Sequence, residues 1–456
     1  MGLFGLAPLS LFGLQITAMS LERYRTNLRA LSDQLIAIQK PIRILDSIKW
    51  PTEVKLQFLA DKNAGLPRLP SDYYDSLPLK YDPRQITEAL IELRQRIRLT
   101  LGKDDGLGKI LAESVGQYER VIEMLLARGT PAFASHSKAL YGSAFDHLRG
   151  DRRTLNELGQ QLCSIFTLPA AGRLSHEYPE DYSPEDAVQR LSAALNTYFE
   201  HDTVKVILSD GIVSDAAAGA DYIKLNDSKR FSEQELRVFE VHEGWVHVGT
   251  TLNGKLQPWA TWLAVGSPRV TASQEGLAVL LETLTFSSFP QRARKISERV
   301  QAVSMAEQGA DFRQIFRHFV DQGLTPEDSY QLTQRVFRGG DPRGGSYFTK
   351  DISYIRGIVE NINFIRSAIL SDVPELIPLL FVGKITLDDI PILYEHMLSG
   401  TVIPPRYLPP MFADINGLYV WFGFSSSLGL VDMGRVQRHF AKLFRHLKPR
   451  TGIATD

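Results

Sequence analysis

Phe239-Glu240-Val241-His242-Glu243-Gly244-Trp245-Val246-His247-Val248-Gly249-Thr250 brings two imidazoles and a carboxylate within about one and a half turns of a helix. Ser232 and Glu235 are spaced as a capping box, and Leu236, Phe239, Val246 and Leu252 supply apolar helical spacing. Asn253-Gly254 predicts the stop. In the commoner zinc-peptidase pattern the histidines are four apart on one face, and the glutamate after the first is the general base. Here they are five apart. At roughly 100° per residue an undistorted helix splays His242 and His247 by about 140°. Both reach one ion only if the turn through Gly244-Trp245-Val246 is widened, and a π-bulge is the device that widens it. The plain alternative is a histidine pair on a surface helix.

Catalytic zinc takes three protein ligands and keeps one position open. A third donor is expected after Pro268, where Thr271-Ala272-Ser273-Gln274 reads as a helix start with Thr271 and Gln274 spaced as a second capping box. Glu275 follows at once. Gly276 and Ala278 are small enough to let this helix approach the first one, and Glu282, on the same face, is placed to accept from a ligating histidine. Taken alone, Glu275 is an ordinary first-turn acid favoured by the helix dipole. Beside the histidine pair it becomes the third ligand.

These segments resemble the family named for its QEGLA motif, whose eukaryotic relatives are microtubule-associated tyrosine carboxypeptidases. The resemblance rests on HEGWVH, on NGKLQPW from Asn253 to Trp259, and on QEGLA from Gln274 to Ala278. It extends to FRGG at Phe337 to Gly340, FTKD at Phe348 to Asp351, and PPRYLPP at Pro404 to Pro410, running from about residue 40 to about residue 430. A looser similarity links the chain to dipeptidyl peptidases carrying HExxxH and a later glutamate. The resemblance implies a zincin-like zinc peptidase acting on the C-terminus of a peptide or protein, with His242, His247 and Glu275 as Zn2+ ligands and Glu243 as base. It also implies a preference for a C-terminal tyrosine or other aromatic residue. The rival from another class is a non-catalytic regulator that retains the zinc-bound fold.

The whole chain fits that setting. At 456 residues, 44% hydrophobic and 23% charged, it has the composition of a soluble globular protein of one large or two moderate domains. A formal charge of −1 gives no general pull toward nucleic acid or an acidic membrane. The single cysteine, Cys163, excludes an internal disulfide framework and suits a reducing, cytoplasmic compartment. Met1 to Met19 is apolar without a basic n-region, so it reads as a loose arm rather than a signal or a membrane helix. The expected organisation is therefore an arm over 1–19, a helical region over 20–140, a peptidase domain over 141–434, and a basic helix and tail over 435–456.

The expected fold class is α+β, predominantly helical, with a small β-sheet beside the active-site helix. Helical patterns cover Ser20 to Gln39, Thr87 to Leu101 and Leu107 to Arg128, and Leu66 to Tyr81 reads as an ordered segment lying across the body. Thr203 to Leu208 and Asp221 to Leu225 have strand character, joined through Gly211 and Ala216 to Ala220. They are read either as a structural hairpin or as a sheet edge that takes an extended substrate. The glycine-rich run from Arg335 to Tyr347 is no phosphate loop, because Gly345 stands where the lysine belongs. As site lining it offers Arg335, Arg338, Arg343 or Lys350 to a substrate carboxylate, and Tyr347 or Tyr354, or Arg338, to a developing oxyanion. Pro374 to Leu398 and Leu418 to Leu430 read as helical core, and Arg435 to Lys448 as a docked helix with a basic face.

Overall fold

The computed structural model describes residues 18–61, 65–70, 72–175, 178–200, 203–210, 212 and 214–444. Residues 1–17 of the expected N-terminal arm, Gly211 and the tail beyond 444 lie outside the described residues, whereas residues 18 and 19 already belong to the first helix. Helices dominate, with one three-stranded sheet.

Three long helices open the described chain: α1 (Ala18–Gln39), α2 (Pro83–Leu101) and α3 (Gly106–Leu126). The second begins before Thr87 because Asp82 caps it by accepting from the Arg84 and Gln85 N–H groups, and Pro83 fits the first turn. Leu28 and Leu35 of α1, Leu90 of α2 and Leu111 of α3 share one apolar core with Val241, Val246, Leu277 and Phe381. Residues on both sides of position 140 therefore bury the same surface. The segment from Leu66 to Tyr81 has neither helix nor strand among its described residues. Its Tyr74 hydroxyl accepts from Trp50 Nε1 and from the Gly339 N–H, both at 2.7 Å, which ties it to the glycine-rich run.

The sheet comprises β1 (Lys205–Ser209), β2 (Ala216–Ala218) and β3 (Tyr222–Asn226) in the order β1-β3-β2. The hairpin reading is corrected: β1 and β3 are parallel, and β2, expected as connecting loop, pairs antiparallel with β3 at the edge. An all-alanine strand carries almost no β-propensity signal, so its sequence concealed it.

After the sheet comes one continuous helical rod: α4 (Glu233–Phe239), a π-helix (Glu240–Val248), and α5 (Gly249–Leu256). The Ser232–Glu235 capping box is present. Asn253-Gly254 does not end the rod, however. The Asn253 side chain donates to the Phe381 and Tyr407 carbonyls and accepts from the Arg406 and Tyr407 N–H groups, so its hydrogen bonds serve the crossing chain. Gly254 leaves room for the Leu263 backbone.

Beyond it lie α6 (Thr271–Leu284), α7 (Pro290–Glu307), α8 (Pro326–Phe337) and α9 (Ser353–Leu370). The second capping box is absent. A 3₁₀ turn over Pro268–Val270 runs straight into α6, so Thr271 is already helical and Val270 is the cap. Gly276 does allow a close approach, but of α9 rather than the histidine helix: a Cβ there would fall on the Gly357 backbone, and one on Gly357 would fall on Ala272. Asn361 of α9 fastens the crossing by donating to the Ser273 carbonyl at 3.1 Å.

Pro374 to Leu398 is helical in pieces, with a 3₁₀ segment (Pro374–Phe381), a 3₁₀ turn (Leu387–Asp389) and α10 (Ile390–Leu398). In α11 (Asn416–Leu428) only one face is core: Leu418 and Phe422 are buried, whereas Tyr419 is 46% and Phe424 72% exposed. The last described helix, α12 (Met433–Phe444), leaves Phe440 half exposed. No helix among the described residues is long and apolar enough to cross a membrane.

Candidate metal centre

The π-helix makes the site. Its hydrogen bonds run from i to i+5, as where the Gly249 N–H meets the Gly244 carbonyl, so residues five apart return to one face. The expected widening is there and covers nine residues rather than one turn. His242 and His247 consequently lie with ring centroids 4.9 Å apart. Gly244 is needed for space as much as for flexibility, since a Cβ would strike Leu195. Carbonyls displaced by the wider turns are satisfied locally. The His247 carbonyl accepts from the Thr251 hydroxyl and from Lys384 Nζ, each at 2.8 Å.

Glu275, at the start of α6, completes the cluster. Its Oε2 stands 3.6 Å from His242 Nε2 and 3.7 Å from His247 Nε2. A tetrahedron with bonds of about 2.1 Å has edges of roughly 3.4 Å, so these separations suit a zinc-sized ion. The three side chains form the group able to hold a metal among the described residues, and two nitrogens with one oxygen are donors that zinc accepts.

Two of the three candidate ligands, His242 and Glu275, are oriented from behind. His242 Nδ1 and Glu282 Oε1 are 2.6 Å apart, and Arg292 donates to both oxygens of Glu282 at 2.5 and 2.6 Å. Lys350 Nζ holds Glu275 Oε1 at 2.8 Å, leaving Oε2 to the histidines. Lys384 Nζ also donates to Gln274 Oε1, which accepts from the Thr250 hydroxyl as well.

The electrostatics separate the two histidines. Burial opposes charge on both, but hydrogen bonds to Glu275 and Glu282 push His242 up to about 10, whereas burial prevails at His247 and lowers it. Burial would raise Glu282, yet Arg292 and His242 hold it down to about 2. Glu275 is likewise kept well below the carboxylate range, against its burial, by Lys350 and the two histidines. Burial drops Lys384 to about 7.

Glu243, next to His242 in the π-helix, has its Oε2 accepting from the Ala218 N–H of β2 at 2.9 Å, and its charge is felt by both histidines. Tyr354, the second residue of α9, lies with its ring 6.5 Å from that of His242.

The glycine-rich run divides. Lys350 is engaged with Glu275 rather than free for substrate, and Arg335 is paired with Asp351. Arg338 is buried with its guanidinium over Phe348, and Tyr347 is buried beside Lys138. The Arg343 side chain is 71% exposed and is held by Asp341 within its own turn. Sequence reasoning missed Arg292, Arg299 and Lys384. They are single basic residues on separate elements, with no motif to mark them. Cys163 sits apart from the cluster, its thiol pushed up to about 12 by burial.

The family model described as microtubule-associated tyrosine carboxypeptidase matches residues 56–429, most of the chain. No curated protein matches it.

Proposed function

The chain belongs to the microtubule-associated tyrosine carboxypeptidase family, and from that premise we propose that it is a zinc-dependent peptidase removing a C-terminal residue, with tyrosine or another aromatic preferred. The observation that carries the proposal is the π-helix that turns His242 and His247 onto one face opposite Glu275.

His242, His247 and Glu275 would hold the zinc, which when bound supplies Lewis acidity toward a carbonyl and an acidified water. Glu243 acts as general base: one carboxylate oxygen is steadied by the Ala218 N–H, leaving the other to take a proton from the attacking water and pass it to the leaving amine. Tyr354, beside His242, donates its hydroxyl to the developing oxyanion. The outer edge of β2 is positioned to take the substrate backbone as an added strand. Lys350 and Arg335 add positive potential behind the site while remaining paired with Glu275 and Asp351. In this reading 141–434 is the catalytic part, 20–140 is packed on it, and the chain works in a reducing compartment.

The test incubates purified protein with peptides that differ only in their last residue and reads products by mass spectrometry. The expected result is release of one C-terminal residue, stopped by a chelator and restored by zinc. Glu243→Gln should keep its zinc and lose roughly 10²- to 10⁴-fold in rate. Absence of released residues, or near-normal turnover in that variant, overturns the reading.

A further inference from the structure

The cations around the ligand cluster are mostly engaged. Lys350 holds Glu275, Arg292 holds Glu282, Arg335 holds Asp351, and Lys384 is bound to the His247 carbonyl and Gln274. Two guanidiniums are different. The Nε atoms of Arg299 and Arg338 are both buried without a hydrogen-bond partner, and neither side chain forms an ion pair among the described residues. Arg338 is only 8% exposed. Arg299, on α7, places its guanidinium 4.3 Å from the centre of the Tyr354 ring, the same ring that stands beside His242. Asp351, an acid whose charge both arginines feel, is already bound bidentately by Arg335.

Such an arrangement is costly as it stands. In each residue the buried Nε–H is left without an acceptor, and stacking on an aromatic face supplies none. Burial disfavours the charge on both residues, and the proximity of Arg335 adds to it. A planar anion with two oxygens is the ligand that answers an unpaired guanidinium fork.

We propose that Arg299 and Arg338 form the seat for the terminal carboxylate of the substrate, next to Tyr354 and the His242–His247–Glu275 cluster. The proposal rests on the peptidase reading and deepens it. A group cleaving one residue from a C-terminus must hold a free carboxylate close to the reacting carbonyl. Arg335 and Lys350, the cations nearest the ligands in sequence motif, are engaged with Asp351 and Glu275. Arg299 and Arg338 are thus specificity-determining residues: they select a free C-terminus over a blocked one or an internal bond.

The experiment measures equilibrium binding in zinc-loaded Glu243→Gln protein, with a short peptide ending in tyrosine carboxylate and the same peptide amidated. The amide should bind roughly ten- to a hundredfold more weakly, as expected for losing a charged hydrogen-bonded pair. Arg299→Met should weaken the acid by a similar factor and leave the amide unchanged, and Arg299→Lys should recover part of the loss. Arg338→Met is expected to act in the same direction. If burial makes it fail to fold, the partly exposed Arg299 carries the test, with zinc content and circular dichroism as folding controls. Equal binding of acid and amide, or discrimination that survives Arg299→Met, overturns the seat. Discrimination without turnover by the wild-type protein would instead overturn the peptidase reading and leave the seat standing.

Discussion

Glu282→Gln isolates the support behind the metal cluster. Glu282 is fully buried, its two oxygens accept from Arg292 Nε and Nη2, and Oε1 also meets His242 Nδ1. The amide keeps the shape but removes the charge and turns an NH₂ toward at least one of these donors. Leaving one partner of a buried pair uncompensated costs about 3–5 kcal/mol. Arg292 is 24% exposed, so water relieves part of this and the lower end applies. With an unfolding entropy of roughly 2.1 cal/mol/K per residue, a chain of 456 residues shifts by about 1 °C per kcal/mol, so the melting point should fall by about 3 °C. The larger effect should be on zinc. A histidine whose second nitrogen loses its acceptor is no longer fixed in tautomer or direction, and affinity should drop about 10- to 100-fold. Competition against a chelating dye measures this directly. A variant with the lowered melting point but zinc affinity within about twofold of wild type would show that Glu282 braces Arg292 and does not orient His242.

Removing Gly244 should restore four-residue histidine spacing while turning Glu243 by roughly 100° relative to the following turn. Peptidase activity should then fall at least about hundredfold even where zinc is retained, and assayable activity near wild type would refute the need for the π-helix. Gly357→Ala should cost about 3 kcal/mol or more and weaken zinc binding, because its methyl drives α9 into the Ala272 carbonyl one turn before Glu275; unchanged melting and metal affinity would contradict the crossing. In metal-free protein, His242 is raised above its ordinary value of 6.5 to about 10. Its stabilising contribution is therefore complete below about pH 6.5 and is lost as pH rises through about 10. Nitrogen NMR at pH 8 should show His242 protonated and His247, which is lowered, neutral. Finding both neutral would refute the assignment.

The metal cluster was legible because its signal is spacing. Histidines spaced five apart have a single helical solution that shares an ion, and an acid at Glu275 with another at Glu282 repeats on one face. Even there the reason for Gly244 was hidden, since it depends on Leu195 from an element some fifty residues earlier. What spacing cannot show is which distant element arrives. Gly276 was identified as a point of close approach, but its partner Gly357 was not. Thr271 looked like a cap only because a preceding 3₁₀ turn leaves no trace in composition. β2 was missed because three alanines favour helix, and it forms a strand only because β3 offers an open edge. The arginines divided by pairing rather than by motif: Arg343 finds an acid two residues away, while Arg299 finds none.

Asn253 carries one more consequence, in chemical ageing. Asparagine followed by glycine is the dipeptide most prone to cyclise and lose its amide, because the unhindered glycine nitrogen reaches the side-chain carbonyl. Here that carbonyl is engaged by the Arg406 and Tyr407 N–H groups, and Gly254 is locked in helix against Leu263. The folded chain therefore protects the bond, and unfolding exposes it. Once converted to a carboxylate, the side chain can no longer donate to the Phe381 and Tyr407 carbonyls and would set a charge against them. Each excursion to the unfolded state thus risks a scar at the crossing that holds the C-terminal segment. Repeated heating should produce a refolding-incompetent fraction whose peptide mapping shows conversion at Asn253, and Asn253→Gln, too long to cyclise readily, should lower starting stability while slowing that loss.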